Sequence, residues 1–120
     1  MVKASRIQDK VAGVGFDWEM PEQVLEKVEE ELQEFKTEID QNNTDAMESE
    51  FGDVLFSLIN YARFLKINPE NALERTNKKF VKRFQYLENQ AQLKQRTLSS
   101  MTLAEMDVLW EEAKSQQSNE

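Results

Sequence analysis

From Pro21 onward the apolar residues recur at steps of three and four: Leu25, Val28, Leu32, Phe35 and Ile39. That spacing is the mark of a helix burying one stripe. A second segment repeats it with Met47, Phe51, Val54, Leu55, Leu58, Ile59, Ala62 and Leu65. With only 3 Gly and 2 Pro in 120 residues, there are few of the turn signals that short strands need. The fold class these features predict is all-α, an antiparallel helical bundle of about four helices per chain.

Punctuation sets the expected boundaries. Residues 1–20 read as a leader with a short amphipathic piece, Ile7, Val11 and Val14, followed by Phe16 and Trp18 on a loop. Those two rings suit either packing over the bundle or stacking on a base. The first long helix opens at Pro21 and ends in Gln41-Asn42-Asn43-Thr44; the second takes Thr44 or Asp45 as its cap. Asn68-Pro69-Glu70 opens a third, whose buried face is Leu73, Phe80, Phe84 and Leu87 and which fades near residue 95. Thr102 and Glu105 form a capping-box pattern before a shorter last helix with Met106, Leu109 and Trp110; residues 115–120 read as a polar, frayed tail. The whole of 1–120 is expected to be a single domain.

Inventory then restricts the chemistry. The chain has no Cys and no His, which excludes thiolate and imidazole zinc sites, Cys nucleophiles and His-based triads. Its 23 Asp and Glu against 15 Lys and Arg give a formal charge of -8, unfavourable for a nucleic-acid or anionic-membrane binder. No apolar run is long enough to span a bilayer and the first residues do not resemble a signal peptide, so a cytoplasmic address is expected. A hydrophobic fraction of 39% promises a thin core, which favours self-association.

The informative acids are those that crowd the apolar stripes. At about 100° per residue, Glu31 lies about 70° from the centre of the first stripe, level with Val24 and Val28, whereas Glu30 points away. Glu34 and Glu38 continue down the flank of Glu31, and Lys27 heads it. On the second helix, Glu50 and Asp53 project from neighbouring turns beside Phe51 and Leu58. If the two helices are antiparallel neighbours, Glu31, Glu34, Glu50 and Asp53 converge. Such a cluster is electrostatically unfavourable unless a cation neutralises it, and oxygen donors alone suit Mg2+ or Mn2+. The alternative is that these pairs are ordinary solvated surface. On the third helix, Lys79 and Arg83 flank the apolar face and suit the outer oxygens of a phosphate chain, or else pair with surface Glu residues.

Glu30-Glu31-Leu32-Gln33-Glu34 followed by Glu50-Phe51-Gly52-Asp53 resembles the EExxE and ExxD signature of the MazG-type nucleoside triphosphate pyrophosphohydrolases, in the all-α NTP pyrophosphatase superfamily. Ile7-Gln8-Asp9-Lys10, Gly15-Phe16-Asp17-Trp18, the basic run from Asn77 to Phe84 and Trp110 resemble the second, C-terminal copy of its two-copy members. The resemblance covers residues 6–114 and leaves open a single-copy relative or an excised half. It implies a bundle completed by dimerisation, as a homodimer or higher homo-oligomer. It also implies Mg2+-dependent hydrolysis of an NTP or dNTP to the monophosphate and pyrophosphate. By similarity, Glu31, Glu34, Glu50 and Asp53 are metal ligands, while Lys79, Arg83, Trp110 and, less directly, Lys27 bind substrate.

The mechanism expected is attack of a metal-activated water on the α-phosphorus, with Glu34 or Glu38 orienting or deprotonating that water. Two other readings fit the same residues. One is a narrow dUTP or dCTP pyrophosphatase, and the other is a non-catalytic helical dimer serving as an interaction module.

Overall fold

A computed structural model describes residues 1–118 of the chain, and the described residues contain helices and no strand. The helices are α1 (Val2–Gly13), α2 (Pro21–Gln41), α3 (Thr44–Phe64), α4 (Pro69–Leu93) and α5 (Leu103–Ser118), with a 3-10 turn at Leu98–Ser100. No described helix is long and apolar enough to cross a membrane. The chain divides into two compact units, Met1–Ala72 and Leu73–Glu120, with α4 beginning in the first and continuing in the second.

In the first unit, α2 starts where Pro21 can spare its missing N–H. The Gln23 side chain accepts from the N–H groups of Glu19 and Met20, at 3.1 and 3.2 Å. Asn42, in the left-handed region at φ 55°, ends α2. Asn43 then caps α3 by accepting from the Ala46 N–H at 3.2 Å. The cap is therefore Asn43, one residue before Thr44 and two before Asp45, because a two-residue turn leaves no room for a later start. So short a connection folds α3 back along α2, bringing the Phe35 and Phe51 rings to 5.6 Å. The leader is itself mostly helical: α1 packs on α3, and Gln8 Nε2 donates to the Phe56 carbonyl at 2.9 Å.

The buried faces follow the expected stripes only in part: Val28, Val54 and Ile59 are buried as expected. On α2 the buried residues are Val24, Val28 and Glu31, whereas Leu25, Leu32 and Ile39 are exposed. On α3 they are Val54, Ser57 and Ile59, with Phe51, Leu55 and Leu58 exposed. The physical reason is that α3 is covered on two flanks, by α2 and α1. The most apolar sector of either helix lies outside those contacts.

In the second unit Leu87, Ala91, Met101 and Leu109 form the core, with Tyr86, Leu98, Met106 and Trp110 against it. Of the face expected on α4, Leu87 is buried, but Leu73, Phe80 and Phe84 are exposed. The α5 segment covers the later turns of α4, and a Phe80–Trp110 ring contact at 5.0 Å lies toward the earlier ones. Asn68 Oδ1 accepts from the Asn71 N–H at 3.1 Å at the start of α4. The Thr102–Glu105 capping box is reciprocal, with both bonds at 3.1 Å. The last helix runs through Ser115, Gln116 and Gln117 rather than fraying there, since Gln117 accepts from Arg83 and donates to the Lys79 carbonyl. Residues 119–120 of the expected tail lie outside the described residues.

Arg96 ties this unit together by bonding both Glu105 and the Ser100 carbonyl. The Arg96 guanidinium, helped by the Thr102 N–H, pulls the Glu105 carboxyl down to a pKa of about 2. A carboxyl with a depressed folded-state pKa stabilises above its unfolded value and loses that contribution as pH falls. Glu105→Gln is therefore expected to lower the melting temperature at pH 7. The gap to the parent chain should narrow between about pH 4.5 and pH 2, as thermal melts across that range would show.

Candidate functional site

Because α2 turns its Val24–Val28 flank toward α3, Glu31 on the next turn is carried inside, at 7% exposure, while its neighbour Glu30 faces solvent. Lys27, one turn earlier, places Nζ 2.9 Å from Glu31 Oε1 and 3.5 Å from Glu30 Oε1. The amine is thus engaged by carboxylates, and the Glu31 contact raises its pKa above the usual lysine value.

Across the helix pair, Glu50 and Asp53 extend from successive turns of α3. Glu31, Glu50 and Asp53 each bring one carboxylate oxygen within 4.8 Å of the others. Glu31 Oε2 and Glu50 Oε2 are buried and have no hydrogen-bond partner. Burial, followed by the charges of Asp53, Glu31 and Glu38, raises the Glu50 pKa. Glu34 is exposed and stands outside the group of three, yet the charge of Glu31, then desolvation and the charge of Glu50, raise its pKa too. Glu38, half-buried, borders the same group through its effect on Glu50.

Two buried carboxylate oxygens without donors are costly, because a desolvated anion needs a hydrogen bond or a cation. The donor set is all hard oxygen with several acids at ligand spacing, which fits a divalent cation of the magnesium kind. The group can hold such an ion, and an ion there would orient and polarise a phosphate ligand.

In the second unit, Arg83 lies with its guanidinium carbon 5.8 Å from the centre of the Trp110 ring, and its Nε donates to Gln117 Oε1 at 2.5 Å. Lys79, one turn earlier, is exposed, and its carbonyl accepts from Gln117 Nε2 at 3.4 Å. Arg83 and Trp110 are thus gathered, with Gln117 as a polar partner that the tail composition concealed.

The first unit also contains a cavity of about 360 Å³ between α1, α3 and the segment after α1. Its lining includes Gln8, Phe16, Trp18, Phe56, Asn60 and Arg63. Arg63 grips Asp17 with both terminal nitrogens, at 2.6 and 3.2 Å, and holds that carboxyl below the usual carboxylate range. The helical wheel missed Gln8, Asn60 and Arg63. Asn60 was within reach of it, since it stands seven residues after Asp53 and so on the same face of α3.

Residues 19–87 match the family model of the MazG nucleotide pyrophosphohydrolase domain. The chain is 44% identical over 111 residues to the nucleoside triphosphate pyrophosphohydrolase/pyrophosphatase MazG of Thermotoga maritima, covering 92% of this chain and 42% of that protein. It is 35% identical over 119 residues to the nucleoside triphosphate pyrophosphohydrolase of Escherichia coli K12, covering 98% and 45% respectively. A 68-residue stretch is 53% identical to the uncharacterized protein YabN of Bacillus subtilis, covering 57% of this chain and 14% of that one. The chain spans less than half the length of these relatives. With the family model matching more than half of its residues and the acidic motifs at the centre of that match, the chain belongs to the MazG nucleotide pyrophosphohydrolase domain family.

Proposed function

We propose that the chain is a single catalytic domain that hydrolyses a nucleoside or deoxynucleoside triphosphate to the monophosphate and pyrophosphate in the presence of Mg2+, with Mn2+ as a substitute. The observation that carries this reading is the meeting of Glu31, Glu50 and Asp53, with two of their buried oxygens unpaired. The names of the Thermotoga and Escherichia relatives support the reaction class.

In this reading Glu31, Glu50 and Asp53, joined by Glu34, hold the cation. A bound divalent ion supplies charge neutralisation and a lowered pKa for water. Glu34 or Glu38 accepts the proton of the water that attacks the α-phosphorus, since both border the acids that would hold the ion. The α–β bridging oxygen leaves with pyrophosphate; in the second unit, Lys79 and Arg83 are the groups whose charge suits phosphate oxygens and Trp110 the ring that suits a nucleotide. Lys27 acts on the acids rather than on the phosphates, because its nearest partners are Glu31 and Glu30.

The bundle is completed by a second copy. Leu25, Leu32 and Ile39 recur every seven residues on α2 and are exposed, as are Phe51, Leu55 and Leu58 on α3. Two such faces form an apolar surface of the kind that self-association covers.

Glu50→Gln and Asp53→Asn are each expected to lower kcat/KM by about two orders of magnitude or more, with helix content by circular dichroism unchanged. Turnover near the parent level in either variant removes that residue from the site. A non-hydrolysable triphosphate with Mg2+, at 100 times its dissociation constant, should stabilise the parent chain by about 2.7 kcal/mol and leave Glu50→Gln much less affected. A purely structural interaction module would give no such shift. Equal turnover across a panel of NTPs and dNTPs separates a broad enzyme from a dUTP or dCTP pyrophosphatase. Leu32→Glu should convert the dimer to monomer in sedimentation velocity, and a parent chain that is already monomeric overturns the dimer.

A further inference from the structure

Gln117, in the last turn of α5, has no part in the chemistry described so far, yet both ends of its half-buried amide are committed. Its Oε1 accepts from Arg83 Nε at 2.5 Å and its Nε2 donates to the Lys79 carbonyl at 3.4 Å. Only one setting of the amide serves both partners. Turned over, it would face an –NH2 against the Arg83 N–H and an oxygen against a carbonyl oxygen. The backbone of α4 thus holds Gln117 in the orientation that receives Arg83.

Arginine has a flexible stem, so its guanidinium meets a phosphate in one geometry only when something fixes its plane. Two contacts do so here. Gln117 takes Nε, and the Trp110 ring lies under the half-buried group, with the guanidinium carbon 5.8 Å from the ring centre. The bond at Nε leaves the two terminal nitrogens, which make no hydrogen bond to a described residue. They form the edge by which an arginine binds two oxygens at once. Arg83 and Gln117 also line a cavity of about 260 Å³, which gives an anion room beside them. Without Gln117 the Nε–H would be open and the fork could turn on its stem.

We propose that Gln117 is the positioning residue for Arg83: it occupies Nε so that the terminal nitrogens are presented end-on to two oxygens of one phosphate group. The inference rests on the reading above that gives Arg83 a phosphate to bind. Gln117 itself touches no substrate, and Trp110 reports on the same guanidinium.

The test is a double-mutant cycle read in KM and kcat. Arg83→Met should raise KM for a nucleoside triphosphate about tenfold, the scale of a lost hydrogen bond to a charged group. Gln117→Met, similar in length but without the amide, should raise KM severalfold with kcat little changed. In the Arg83→Met chain the same change should add nothing, whereas a merely structural role would give equal losses in both backgrounds. An unchanged KM in either single variant, or a Gln117→Met loss that persists without Arg83, overturns the proposal. If the parent chain hydrolyses no triphosphate, the hydrolase reading fails by itself. Trp110 fluorescence in a Trp18→Phe chain, titrated with pyrophosphate, then decides the inference. A dissociation constant raised severalfold by Gln117→Met supports it; no response at millimolar pyrophosphate, or the same constant with and without Gln117→Met, overturns it.

Discussion

The structure depends on a carboxylate that folding carries out of water. Glu31 sits on the flank by which α2 meets α3, so the packing that buries Val24 and Val28 buries an acid as well. Lys27 meets one of its oxygens, and among the described residues nothing hydrogen-bonds the other. Packing energy from the helix pair must offset that cost, and the offset is smaller once a cation enters. The two-residue Asn42–Asn43 turn joins the two helices that carry these acids.

Helix α3 is the common spine of both features in the first unit. It receives α2 on one flank and α1 on another, and so carries more of the packing than either neighbour. Along it, Glu50 and Asp53 meet Glu31 of α2, and Asn60, two turns on from Asp53, lines the cavity beside α1 with Phe56 and Arg63. One rigid element therefore sets the spacing between charge and cavity. Rigid elements hold such distances better than loops do.

Helix starts were legible because capping chemistry is local: Pro21, Asn68-Pro69 and the Thr102–Glu105 box act over one turn and appear where the residues imply. The inward turn of Glu31 and the outward turn of Glu30 were legible for a related reason, since helical periodicity fixes relative directions. What periodicity cannot give is which sector a neighbour covers. Leu32 and Leu58 define the apolar stripes yet stand exposed, because the neighbours of α2 and α3 dock on the flanks. The Arg63–Asp17 clasp was invisible for a stronger reason: its partners are 46 residues apart and neither belongs to a repeating pattern. The partners of Gln117 were hidden by composition, since a run of Ser and Gln looks like a tail until Arg83 and Lys79 lie beside it.

The offset between apolar stripe and buried flank also bears on why the core is so small. Among the described residues the largest fully buried side chain is Val24, while phenylalanines at 51, 80 and 84 remain in contact with solvent. A first unit that used the α2 stripe for its own core would bury Leu25, Leu32 and Ile39 and push Glu31 outward, gaining apolar burial worth roughly 25 cal/mol per Å² but separating the acids. The observed arrangement makes the opposite choice. The flank carrying Glu31 is turned inward, and Leu25, Leu32 and Ile39 stand exposed. The burial of Glu31 and the exposure of Leu25, Leu32 and Ile39 are thus two consequences of one orientation of α2 about its axis.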